Sequence, residues 1–279
     1  MKNKETNRIA TLLNVLRFFG WPPRRGLMAL RQIWHAHRGF RFTEGWQNQT
    51  QSKALIESQV AENPLLTFFN GRKEGRGIWK WTHYFEVYEQ YLSPFRARPV
   101  HFLEIGIYSG GSLEMWADYL GDKAKIYGVD IEVACKEYES EQVGIFIGDQ
   151  ADRGFWQDFK TEVPKLDVVI DDGGHSTQQQ IVTLEELLPH LSPGGIYIIE
   201  DIHGEDNLFA SYLYGLQQQL NAADFIPGEA FKTQARPFQT MIQAIHLYPY
   251  MAVIQKRKAP ITAFPSPRHG TQWQPFYTP

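Results

Sequence analysis

"LDVVIDDGGHSTQQQIVTLEELLPHLSPGGIYIIEDIH", residues 166–203, twice runs from a short apolar stretch into a pair of acidic residues. Residues 168–170 are continuously apolar and end at Asp171 and Asp172, followed by Gly173, Gly174 and His175. "TQQQIVTLEELLPHL" has helical spacing, and "GGIYIIED" is again apolar until Glu200 and Asp201, with Ile202 and His203 beyond. Two apolar strands joined through a helix read as a parallel pair, because parallel strands need a long crossover. Continuous rather than alternating apolar strands belong to a sheet covered on both faces.

The same alternation extends in both directions. "VHFLEIG" (100–106), "KIYGVDI" (125–131) and "VGIFIGD" (143–149) read as strands, and "SLEMWADYLG", "DRGFWQDFK" and "NLFASYLYGLQQQLNA" as helices. "IQAIHLYPYMAVIQKR" (242–257) reads as two strands joined by a tight turn at Pro249, hence an antiparallel hairpin. The expected fold is α/β: a doubly wound sheet of five parallel strands closed by a terminal antiparallel pair. This pattern is similar to the class I S-adenosylmethionine methyltransferases, and the resemblance implies the strand order 3-2-1-4-5-7-6.

Three regions are expected: a basic helical and loop extension over 1–77, the sheet domain over 78–258 and a Pro-rich tail over 259–279. "IWKWTHYFEVYEQYLS" (78–93) reads as an amphipathic helix with Trp81, Tyr84, Phe85, Tyr88 and Tyr91 on one side. Trp273, Phe276 and Tyr277 are placed to let the tail dock.

The chain has 279 residues and a net charge of −3, with 43% hydrophobic and 21% charged residues, ordinary values for a globular protein. No apolar run approaches the ~20 residues of a membrane span. The single cysteine, Cys135, excludes an intrachain disulfide and a multi-cysteine zinc site, and fits a reducing cytoplasm. Charge is uneven: residues 1–43 hold nine Lys/Arg against one acid, Glu5, so the remainder is acidic. Within that segment Ile9, Leu12, Leu13, Leu16 and Phe19 recur at helical spacing, and Asn14 and Arg17 interrupt any signal-peptide core. A basic amphipathic helix suits peripheral contact with an anionic membrane, or docking on the acidic body or another subunit. The acidic body disfavours nucleic acid as a partner.

"FLEIGIYSGGS" places Glu104, Gly106, Gly110 and Gly111 at the end of the first strand. Tyr108 stands where a dinucleotide fingerprint needs its second glycine, so a pyrophosphate loses its close backbone approach. Asp130 ends the second strand where an acid can bind ribose hydroxyls, and Asp149 ends the third where an adenine contact is expected. In order, these favour S-adenosylmethionine over NAD. At strand ends such acids also serve as turn formers or helix caps.

In the implied order the 166–172 and 194–201 strands are neighbours, ~4.8 Å apart, so up to four carboxylates meet at one edge. That cluster repels itself unless protons or a cation neutralise it. Oxygen ligands without thiolates suit Mg²⁺, with Ca²⁺ and Mn²⁺ as alternatives. Side chains alternate along a strand, so at most one of Asp171 and Asp172 is a ligand. Asp172, Glu200 and Asp201 are the expected metal ligands, and Asp171 the turn or cap residue. His175 follows two glycines, and an imidazole there suits a general base at neutral pH. A backbone-bonded residue at the helix start is its alternative role, and His203 is a substrate contact or support.

These motifs together with "KWTHYFEVYEQYL" resemble the metal-dependent sugar O-methyltransferases of macrolide biosynthesis, of the mycinamicin 2''-O-methyltransferase type, over roughly residues 79–204. The resemblance implies Mg²⁺ on Asp172, Glu200 and Asp201, His175 as base, S-adenosylmethionine as methyl donor, a glycoside or polyol as acceptor, and a homo-oligomer. A catechol-type phenol methyltransferase and a non-catalytic protein of the same fold are the alternatives.

Overall fold

The computed structural model describes residues 63–203, 207–225 and 232–271, together with a helical piece at 32, 34–39 and 41–43. The amphipathic stretch of residues 9–19 and the aromatic residues Trp273, Phe276 and Tyr277 lie outside the described residues. Two compact units divide the chain, one over 1–61 and one over 62–279, and the sheet lies in the second.

The strands are β1 (Val100–Ile105), β2 (Ala124–Asp130), β3 (Val143–Ile147), β4 (Leu166–Asp171), β5 (Leu191–Ile199), β6 (Asp224–Phe225), β7 (Lys232–Gln234), β8 (Ile242–Tyr248), β9 (Met251–Lys256) and β10 (Ala263–Pro265). Seven form one sheet in the order β3-β2-β1-β4-β5-β9-β8. Pairing is parallel from β3 through β5 and antiparallel at β5–β9 and β8–β9. This is the expected class I methyltransferase fold, hairpin included.

The helices are α1 (Pro64–Gly71), α2 (Tyr84–Leu92), α3 (Gly111–Leu120), α4 (Arg153–Glu162), α5 (Thr177–Leu187), α6 (Phe209–Leu220) and α7 (Pro237–Met241). One core layer packs α1, α2 and α3 through Leu65, Phe85, Tyr88 and Trp116 onto Phe102, Val168 and Ile198. The other packs α4, α5 and α6 through Trp156, Phe159, Leu184 and Phe209 onto Leu103, Val169 and Tyr197. Successive sheet residues thus enter opposite cores, which is why the strands are apolar at nearly every position. Ser176 starts α5, its hydroxyl taking the Gln179 N–H while the Gln179 side chain takes the Ser176 N–H.

Three local features differ from the reading of the sequence. The 78–93 helix starts only at Tyr84, because Lys80 and Trp81 are drawn in extended chain onto carboxylates of the sheet edge. Residues 64–71, read as part of a polar extension, form α1, capped by the Asn63 side chain and begun by Pro64, with Leu65 in the core. A second, three-stranded sheet, β10-β7-β6, engages residues 263–265 of the tail. Among the described residues no helix is long and apolar enough to cross a membrane.

The β1 strand leaves the sheet at Gly106, whose φ is +85°. A Cβ there would lie 2.0 Å from the Asp172 carbonyl oxygen, so the loop after β1 and the tip of β4 pass in direct backbone contact. Gly106→Ala is therefore expected to cost at least ~1–3 kcal/mol of unfolding free energy, from strain alone. Urea unfolding measures it, and an unchanged midpoint would mean that the two segments separate freely.

Candidate active site

The carboxyl ends of β1, β2, β4 and β5 open onto a cavity of about 910 Å³. Gly106, Asp130 and Asp149 line one part of it, and Asp172, His175 and Asp201 another. Asp130 braces the loop after β1: its Oδ2 accepts the N–H groups of Ile107 (2.8 Å) and Tyr108 (3.1 Å). Asp149 accepts the Ala151 N–H at 2.8 Å. Glu104, Gly110 and Gly111 stand behind the cavity wall. Gly110 caps α3, and Gly111 admits the backbone of residues 76–77, whose carbonyls would lie 2.4–2.5 Å from a Cβ there. Glu104 is wholly buried, accepts the Ser112 hydroxyl at 2.6 Å and meets Lys80 at 3.3 Å.

Lys80 joins the acidic tips. Its Nζ lies 2.5 Å from Asp172 Oδ2, 3.2 Å from Glu200 Oε2 and 3.3 Å from Glu104 Oε1, with its side chain only 3% exposed. Burial opposes the ammonium charge, but Asp172, Glu200 and Glu104 outweigh it and hold the Lys80 pKa well above the ordinary lysine value. Burial and Asp172 push the Glu200 carboxyl upward, against Lys80 and the Tyr88 hydroxyl, which donates to Glu200 at 2.5 Å.

Asp171 and Asp172 part as alternation requires. Asp171 is buried, accepts the Gln150 amide at 3.1 Å and the Gly173 N–H, and burial pushes its carboxyl up to about 7. It holds the glycine turn, whereas the helix cap falls to Ser176. Asp201 Oδ1 accepts Trp81 Nε1 (2.9 Å) and the Tyr84 hydroxyl (2.8 Å), which leaves Oδ2 facing His175 Nε2 at 3.5 Å. His175 Nε2 is 4.0 Å from Asp172 Oδ1, and its Nδ1 is buried without a hydrogen-bond partner. Both His175 and Asp201 have φ +54°, left-handed backbone that L-residues adopt at a cost. His203 Nε2 lies 3.9 Å from Asp201.

Asp172, His175 and Asp201 offer ligand atoms that all lie within 4.8 Å of one another. The two carboxylates suit a hard divalent cation such as Mg²⁺ or Mn²⁺, with the imidazole beside them. Glu200, also expected there, is engaged by Lys80 and Tyr88. Lys80, Trp81 and Tyr84 are site residues that sequence reasoning did not single out for chemistry. Their one signal was a lysine set between two tryptophans in "WKW".

Residues 103–202 match the family described as "Methyltransferase domain". The matched residues lie in a sheet whose strand order is that of the class I methyltransferase fold. It is 30% identical over 204 residues to the 8-demethyl-8-alpha-L-rhamnosyl tetracenomycin-C 2'-O-methyltransferase of Streptomyces olivaceus, covering 66% of this chain and 53% of that one. It is 33% identical over 165 residues to the mycinamicin VI 2''-O-methyltransferase of Micromonospora griseorubida, covering 55% and 40%. Among solved structures, the MycE methyltransferase of the mycinamycin pathway, in complex with Mg and SAH, shares the fold. It has a TM-score of 0.57 at 24% identity over 72% of this chain and 55% of that one. The chain thus spans about half the length, or less, of the curated relatives it matches.

Removing the Lys80 charge strands two buried carboxylates, Glu104 and Glu200, and the partly buried Asp172. Lys80→Met is expected to lower the unfolding free energy by about 3–5 kcal/mol, with Lys80→Arg milder because it keeps the charge. Chemical unfolding of both variants measures this, and a Met variant as stable as the parent would show that the carboxylates are neutral without Lys80.

Proposed function

We propose that this chain transfers a methyl group from S-adenosylmethionine to a hydroxyl of a sugar or other polyhydroxylated small molecule, with Mg²⁺ bound at the site and His175 as general base. The observation that carries the reading is the convergence of Asp172, His175 and Asp201 in the cavity that Gly106, Asp130 and Asp149 also line. The relatives' names support it, since they place methyl groups on a rhamnosyl 2'-oxygen and a mycinamicin 2''-oxygen. So does the presence of Mg and SAH in MycE.

Asp172 and Asp201 would hold the cation, with Glu200, which shares Lys80 with Asp172, as the third carboxylate. Gly106, Asp130 and Asp149 would hold the methyl donor, with Glu104, Gly110 and Gly111 supporting that part of the wall. When bound, the cation lowers the pKa of a coordinated hydroxyl and S-adenosylmethionine supplies the methyl group. The chain's own work is to place the acceptor and to move its proton. His175 Nε2 faces both Asp201 Oδ2 and Asp172 Oδ1, so an imidazolium formed there sits beside two carboxylates that stabilise it. Trp81 and Tyr84 fix Asp201 Oδ1, and Lys80 fixes Asp172 Oδ2, so both carboxylates present their other oxygen to the histidine. Assembly as a homo-oligomer and contact of residues 1–43 with an anionic membrane belong to the proposal on resemblance and charge alone.

His175→Ala is expected to lower turnover by ~10²–10⁴ and leave S-adenosylmethionine affinity nearly unchanged. EDTA should abolish turnover and added Mg²⁺ restore it. Kinetics with a methyl glycoside and calorimetry with the methyl donor check both. Full activity of His175→Ala removes the base assignment, and indifference to EDTA removes the metal.

A further inference from the structure

Beside the carboxylate cluster the cavity wall is aromatic. Trp79, Trp81 and His203 line it, and Tyr250 packs against Trp81 and His203 with ring centroids 5.5 and 5.3 Å away. His83 closes the group, 6.1 Å from Trp81 and 5.9 Å from Tyr250. Single exposed aromatic residues are ordinary on a protein surface. Trp81, His83, His203 and Tyr250 are contiguous, Trp79 lies two residues along the chain from Trp81, and Trp79 is 86%, Trp81 48% and Tyr250 44% exposed.

The group is also fixed in place. The indole N–H of Trp81 is bound to Asp201, so the ring cannot turn without releasing that carboxylate. Tyr250 occupies the turn between β8 and β9 with φ +62°. Its carbonyl accepts the Ile202 N–H at 2.9 Å and the Tyr84 hydroxyl at 3.2 Å. The terminal hairpin therefore delivers a ring to the site as well as closing the sheet. Charge narrows what this wall can receive. Among the described residues the one Lys or Arg lining the cavity is Lys80, and three carboxylates already hold it. A phosphate or carboxylate on the acceptor would meet acids and, among the described residues, no free side-chain cation.

We propose that the Trp81 face, backed by Tyr250 and His203 and extended by Trp79, is the acceptor subsite for an uncharged pyranose ring. The ring's apolar C–H face lies on the indole, and its hydroxyls point toward His175 and Asp201. Aromatic faces are negative and C–H edges positive, so the contact is attractive as well as apolar. His203 beside the indole supplies a polar group for a remaining hydroxyl. This assignment builds on the proposed function and names which part of the wall selects its substrate.

The test uses the full chain with Mg²⁺, S-adenosylmethionine or its demethylated product, and methyl α-L-rhamnopyranoside as probe. Saturation-transfer NMR in the presence of the demethylated product reads binding without turnover. It should show transfer concentrated on the C–H protons of one sugar face. Trp81→Phe keeps an aromatic face but loses the N–H to Asp201, so it should keep KM near the parent's and lower kcat. Trp81→Ala should raise KM about tenfold or more, and Trp79→Ala should raise KM with kcat kept. Affinity for the demethylated product should stay within about twofold in all three, since that ligand belongs to the other part of the cavity. Unchanged KM in Trp81→Ala and Trp79→Ala would overturn the subsite, as would catechol binding with no glycoside binding. Sugar binding lost in Trp81→Ala while the parent methylates no hydroxyl acceptor would keep the subsite and reject the proposed reaction.

Discussion

Glu104, Asp172 and Glu200 come from the ends of three adjacent strands, β1, β4 and β5, and converge on the ammonium of Lys80. Parallel strands place their carboxyl ends at one edge, so acids at those ends are forced together by topology. Left alone they would repel one another and push the edge apart. Lys80 enters from outside the sheet, on the chain just before α2, and supplies one positive charge to the group. Much else follows from that entry. The helix is delayed until Tyr84, Trp81 is carried next to Asp201, and Tyr88 on the first turns of α2 reaches Glu200.

One ammonium does not neutralise every acid at this edge. Asp201 is held by neutral donors, Trp81 and Tyr84, and faces His175. The division of labour is therefore spatial. Lys80 serves the buried side of the cluster, where Glu104 and Glu200 have no exposure, and the cavity side keeps carboxylate oxygens in reach of an imidazole. Left-handed backbone at both His175 and Asp201 is the strain that this aim requires, and the surrounding packing holds it.

The sheet was legible because its strands are buried on both faces, which writes continuous apolar runs into the chain, each ended by acids or glycine. The two acidic pairs were legible for the same reason, and β4–β5 pairing brings Asp171 level with Ile199, so Asp172 and Glu200 follow side by side. Alternation along a strand separates Asp171 from Asp172 in the sequence itself. Lys80 was not legible, since its partners lie 92 and 120 residues away and its two flanking tryptophans are the one local mark it carries. The start of α2 was missed because the aromatic periodicity runs on through Trp81 while the backbone does not. Glu104 faces Lys80 and Ser112 rather than the cavity, a choice of strand face that the sequence of β1, buried on both sides, does not reveal. α1 was hidden by its polar and glycine-rich surroundings, and β6, β7 and β10 by their length of two or three residues.

The proposed reaction requires a divalent-cation site on the cavity side of this cluster, beside His175. Anomalous scattering from a crystal of the full chain soaked in Mn²⁺ and the demethylated methyl donor tests it directly. One strong peak is expected between the Asp172 and Asp201 carboxylates, within reach of His175. A peak only elsewhere, or none at this cluster at saturating Mn²⁺, would contradict it.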